Sequence, residues 1–198
     1  ARKGWSRMAS IFIGPNGLRA GWRFLLFVLG IELAEFYLRT PLLSLLTRRS
    51  ALNLDELSAP ALFIGEFVGF VTVLLVTGIA ALLEHRRIDD YGLPVSQAFG
   101  RLFWKGALAG MLVVGFVAGA MMVTGAMKVH GLALEGTGLP WFGLLWLGAN
   151  VLVGLNEEYL FRGYALRVLW RGAGFWPAAL ITTAIFAGLH LSKPHENA

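Results

Sequence analysis

Five apolar stretches set the pattern of the chain, each divided from the next by a short segment holding charges, glycine or proline. About 20 consecutive apolar residues in a helix match the hydrocarbon thickness of a bilayer. On that scale the spans fall at about 22–46, 61–83, 106–127, 139–169 and 176–191. Residues 1–21, with Arg2, Lys3, Arg7, Arg19, Trp5 and Phe12, form a basic interfacial lead-in. The first span is interrupted by Glu32, Glu35 and Arg39. Glu35 and Arg39 are i, i+4 and can pair, whereas Glu32 either faces a water-filled cavity or snorkels from a tilted helix. In the second span Gly65 and Gly69 make a small-residue row that admits a close neighbour, and Glu66 between them is expected at the interface. Gly106/Gly110 and Gly115/Gly119 repeat that row in the third. The polar stretch from Glu84 to Lys105 reads as a solvated loop, with Ser96 to Trp104 as an interfacial helix. Arg171 to Gly174 is the turn between the last two helices, and Pro177 suits the first turn of the fifth.

The fold class that follows is all-α, a polytopic transmembrane helical bundle with about five helices. Composition agrees: 57% of residues are apolar and 15% charged, against about 25% charged in a soluble domain, and mean hydropathy is +0.66. Cysteine is absent, which excludes a disulfide frame, a thiolate metal site and a cysteine nucleophile. The net charge of +5 does not imply nucleic acid, because the basic residues lie in the short segments between apolar runs. Alternate segments carry 12 and 5 Lys plus Arg. The positive-inside rule then places the N-terminus, the segment after the second span and the last hairpin in the cytoplasm. Short loops and a compact chain fit an integral protein of a prokaryotic inner membrane.

Two carboxylates, Glu157 and Glu158, close the long apolar run that starts at Leu139. An ionisable residue at membrane depth marks a functional site by default. Glu158 and Arg162 are i, i+4 with the acid first, the favourable order for an ion pair. Glu157 points about 100° away and is left unpaired. His190 lies on the fifth helix. Glu157 stands 17 residues before Gly174 and His190 stands 16 after it. At about 1.5 Å per residue both are roughly 25 Å from the turn, so an antiparallel hairpin brings them to one depth. Phe186 lies one helical turn before His190, where it can wall the site against water. A Glu and a His at one point can activate water, the Glu as general base and the His as oxyanion donor or metal ligand. There is no HExxH motif, and one His with one Glu falls short of the three protein ligands of a catalytic zinc.

The stretch Glu157-Glu158-Tyr159-Leu160-Phe161-Arg162, followed by Phe186-Ala187-Gly188-Leu189-His190, resembles the first two motifs, EExxxR and FxxxH, of the CPBP intramembrane proteases, the Abi family. That family includes type II CAAX prenyl endopeptidases and bacteriocin-processing or immunity proteins. The resemblance implies a membrane-embedded endopeptidase hydrolysing a peptide bond with a Glu-activated water, with Glu157 as base and His190 as a site residue. It implies a supporting role for Arg162 with Glu158. It leaves the cofactor open: zinc held by Glu157 and His190, or water activated by Glu157 without a metal. The partners are the lipid bilayer and a peptide or protein substrate entering from membrane or cytoplasm. The family's third motif, a His with Asn or Asp four residues later, has no match, and His195 lies in a polar tail. The natural chain is therefore expected to extend past both ends, and the 198-residue piece to be inactive. Two other functions fit the same residues: a non-catalytic immunity or partner-binding protein, and a proton-coupled transporter, which would show an internal repeat that the five spans do not.

Overall fold

A computed structural model describes residues 11–15, 17–50, 58–92, 94, 98–131, 136 and 138–191. Most of the interfacial lead-in, Ser96, Glu135 and the tail with His195 lie outside the described residues. The described chain is almost entirely helical, with a two-residue antiparallel ribbon, β1 (Ile13–Gly14) on β2 (Gly17–Leu18), before the first helix. The helices are α1 (Ala20–Ala34), α2 (Thr40–Ser50), α3 (Ala59–Leu83), α4 (Arg101–Val123), α5 (Gly138–Glu158), α6 (Leu166–Ala173) and α7 (Phe175–Leu191). Among the described residues three helical stretches are long and apolar enough to cross a membrane: Ala59–Leu83, Arg101–Val123 and the broken helix Gly138–Ala173. The apolar α7 is shorter, at 17 residues.

Two of the expected continuous spans are interrupted. Glu35–Arg39 joins α1 to α2 as a π-helical turn, and Tyr159–Ala165 joins α5 to α6 in the same way. Such wide turns inside α-helices often mark functional sites. The second contains Gly163, whose ψ of −111° leaves the helical range. A Cβ at Gly163 would stand 3.0 Å from the Tyr91 carbonyl oxygen, closer than a side chain comfortably allows. Helix α3 starts at Ala59, two residues ahead of the expected 61. Ser58 accepts from the Ala61 N–H, and Pro60 occupies the first turn, where no amide donor is needed.

The chain divides into two compact units. One joins residues up to Gly92 with those from Leu144 onward, and the other comprises Leu93–Gly143. In the second unit α4 is apolar from Gly106 onward, after Arg101 and Lys105, and has no buried residue. Its two glycine rows have no described atom within 4 Å of where a Cβ would sit.

In the first unit the core gathers around a carboxylate that the sequence pattern assigns to a solvated loop. Glu84 follows the last residue of α3. Arg23 of α1 donates to it through Nε, 2.6 Å from Oε1, and again through Nη2. The hydroxyls of Tyr91 and Tyr164 donate to the same carboxylate. Beneath it Phe27, Ala81, Tyr91, Tyr164, Ala165 and Val168 are buried together. Phe27 stacks on Tyr164 at 4.7 Å, and the Arg171 guanidinium sits over the Tyr91 ring. Gly172 brings α6 against α1, since any Cβ there would overlap Ala20. Segments distant in sequence are thereby fastened at one end of the unit, and all of them are ones the charge pattern assigns to one side of the membrane.

Burial opposes ionisation of Glu84, but the hydrogen bonds from Tyr164, Tyr91 and Arg23 outweigh it and hold its carboxyl below the ordinary value of 4.5. Burial, and then the bond to Glu84, raise the Tyr91 hydroxyl above its usual value. Glu84→Ala leaves a cation and two hydroxyls without their acceptor. With side chains only 17% and 20% exposed, the loss is expected near the lower end for a broken buried pair, about 3 kcal/mol. The check is the unfolding midpoint in detergent. A depressed carboxyl stabilises above its unfolded pKa, and that contribution is lost as pH falls through the folded value. The wild-type midpoint should therefore decline below about pH 4.5 more steeply than that of Glu84→Ala.

Candidate active site

Helix α5 ends on three consecutive polar residues, Asn156, Glu157 and Glu158. Successive helical side chains diverge by about 100°, so the three face three neighbours. Asn156 Nδ2 donates to Glu66 Oε2 of α3 at 2.8 Å. Glu157 Oε1 lies 3.6 Å from His190 Nε2 of α7. Glu158 accepts from Arg162 within the π-helical turn.

The hairpin of α6 and α7 sets the Glu157–His190 approach. Gly174 makes its turn with φ +87°, a conformation open to glycine at little cost. Helix α7 then returns antiparallel and delivers His190 to the depth of Glu157. The imidazole is fixed from the other side: Nδ1 lies 3.0 Å from the Phe186 carbonyl oxygen. A carbonyl only accepts, so Nδ1 carries the proton and Nε2 is the nitrogen turned to Glu157. Phe186 packs its ring on His190 at 4.2 Å and edge-to-face on Phe161 at 5.1 Å, which covers one flank. The side chains of Glu157 and His190 remain 36% and 34% exposed, so the pair is open on another flank.

The remaining polar groups at this depth form a second cluster. Arg39 pairs with Glu35 at 2.8 Å, the i, i+4 contact expected from sequence, and its Nη2 donates to the Gly65 carbonyl at 3.2 Å. Gly69 lies directly under this cluster: a Cβ there would meet Asn156 Nδ2 at 2.9 Å and Arg39 Nε at 3.4 Å. The Gly65/Gly69 row does admit a neighbour, but what approaches is polar. Glu66 is engaged with α5 and not simply interfacial. Glu32 is exposed. Sequence reasoning missed the Glu66–Asn156 bond; the available signal was an Asn one residue before the acidic pair, opposite a glycine row carrying its own acid.

The Glu158–Arg162 pair is made, but it is exposed, with side chains 57% and 67% accessible. Ion pairs open to water contribute about 0–1 kcal/mol. Arg162→Ala should therefore lower the unfolding midpoint in detergent by less than Glu84→Ala does. A loss as large as that of Glu84→Ala would mean that the pair is desolvated by lipid or by protein beyond the described residues.

Residues 139–197 match the family model described as Type II CAAX prenyl endopeptidase Rce1-like. That stretch contains both motifs and all of α5 from Leu139, together with α6 and α7. No curated protein and no solved structure matches the chain.

Proposed function

We propose that the protein is an intramembrane endopeptidase in which Glu157 activates the attacking water and His190 stabilises the oxyanion. The observation that carries this reading is the 3.6 Å approach of the two side chains across the α5–α7 pair, inside the segment that matches the protease family. Glu157 Oε1 accepts a proton from water as the water oxygen bonds to the scissile carbonyl carbon. His190 in its protonated form donates from Nε2 to the carbonyl oxygen as that oxygen becomes an anion. The C–N bond then breaks, and Glu157 returns its proton to the amine leaving group. Phe186 and Phe161 limit water on one flank, which strengthens both interactions. The open flank admits a peptide or protein substrate from the membrane or the cytoplasm.

Among the described residues no group of three His, Cys, Asp or Glu could hold a metal ion. Glu157 and His190 offer two donors where a catalytic zinc takes three from the protein. The described residues do not by themselves build a zinc site. We assign the end of the unit with Arg23, Glu84 and Tyr164 to the cytoplasmic face, which the basic segments there support.

Glu157→Gln keeps the shape of the side chain but cannot accept the proton. Hydrolysis by the full-length protein in liposomes should fall about 10²–10⁴-fold, with membrane insertion unchanged. His190→Ala should cost about 10²–10³-fold. Normal turnover by purified Glu157→Gln would overturn the assignment of the base, whereas no hydrolysis by the full-length wild type would leave a non-catalytic membrane protein on this scaffold.

A further inference from the structure

We propose that Glu66, acting through Asn156, positions the Glu157 carboxylate against His190. This role rests on the reading of Glu157 as the base. Glu66 touches neither substrate nor the reacting atoms; it is a positioning residue, and so is Asn156.

A helix that carries its reactive group on one side must be held against rotation about its own axis. Apolar contacts resist such rotation weakly, because one aliphatic side chain can replace another. A charge-assisted hydrogen bond at membrane depth is directional. Asn156 Nδ2 reaches Glu66 Oε2 at 2.8 Å, so the azimuth of residue 156 is set by α3. Residue 157 follows about 100° around the helix, which is the direction of α7 and His190.

The amide can point only one way. A carboxylate accepts and does not donate, so Nδ2 must face Glu66. That turns Asn156 Oδ1 inward, where it is buried and has no hydrogen-bond partner among the described residues. Arg39 Nε is likewise buried without a partner, and Arg39 lies over the same glycine, Gly69, as Asn156. The site leaves this acceptor unfilled while Nδ2 stays on Glu66. Gly69 gives the space: its absent Cβ would fall 2.9 Å from Nδ2, whereas one turn away Gly65 has nothing within 4 Å of its own Cβ position. The two glycines of one row therefore make a matched pair for experiment.

Asn156→Asp sets two carboxylates face to face and should lower kcat of the full-length protein in liposomes by about 10²-fold, with KM little changed. Adding Glu66→Gln restores a donor and an acceptor in exchanged positions and should recover most of the lost kcat. Gly69→Ala should lower kcat in the same sense, and Gly65→Ala should not. A second readout is independent of hydrolysis. The chain has no cysteine, so Glu157→Cys with His190→Cys provides a unique thiol pair for a short bifunctional cross-linker. Asn156→Asp or Gly69→Ala should slow cross-linking several-fold, while Gly65→Ala and the exchanged pair leave it fast. Cross-linking that is equally fast in all of these backgrounds would overturn the positioning role, whatever the hydrolysis result. Slowed cross-linking with full activity in Glu157→Gln would instead uphold the positioning and reject Glu157 as base.

Discussion

One carboxylate holds the first unit together. Glu84 receives a guanidinium and two phenol hydroxyls from α1, from the turn after α3 and from the π-helical turn before α6. A charge taken out of water is tolerated only when its lone pairs are filled, and here the fillers come from segments up to 80 residues away. Each of them must arrive for the others to be stable. The aromatic packing of Phe27, Tyr91 and Tyr164 follows from this, because two of those rings carry the hydroxyls that the carboxylate binds.

Helix α5 reaches the acidic pair before the chain enters that anchored end, and there a second set of polar contacts takes over. Asn156, Glu157 and Glu158 are adjacent in sequence, but each is committed to a different neighbour: α3, α7 and the helix's own next turn. Membrane helices meet without a strong hydrophobic driving force between them, so directional polar contacts determine which faces meet. The site is thus a property of how α5 is clamped as much as of the side chains it presents.

Much of this was legible in the sequence. Apolar runs of spanning length identify the helical bundle, because a bilayer leaves few other solutions. The meeting of Glu157 and His190 followed from counting residues either side of Gly174, since rise per residue is nearly constant in an α-helix. The Glu35–Arg39 and Glu158–Arg162 pairs followed from i, i+4 spacing. The contacts that were not legible are those between residues far apart in the chain. Nothing local distinguishes Glu84 from a loop acid, since its partners Arg23 and Tyr164 are 61 and 80 residues away. Asn156 and Glu66 are 90 apart. The π-helical turns also escaped, although each has a local breaker, Pro41 just past the first and Gly163 inside the second.

The wide turn at Tyr159–Ala165 acts as a phase adjuster. Ahead of it the helix must present Asn156 to Glu66; at its far end it must present Tyr164 to Glu84. A uniform α-helix fixes the angle between residues 156 and 164, and two independently anchored neighbours need not agree with that angle. An extra residue accommodated in one turn alters the phase by about 100° and lets both ends dock. The two halves of the helix are therefore geared through a single turn. Removing one residue from it would leave either end locally intact while making it impossible for both to engage together, so this short stretch constrains chain length more tightly than it constrains residue type.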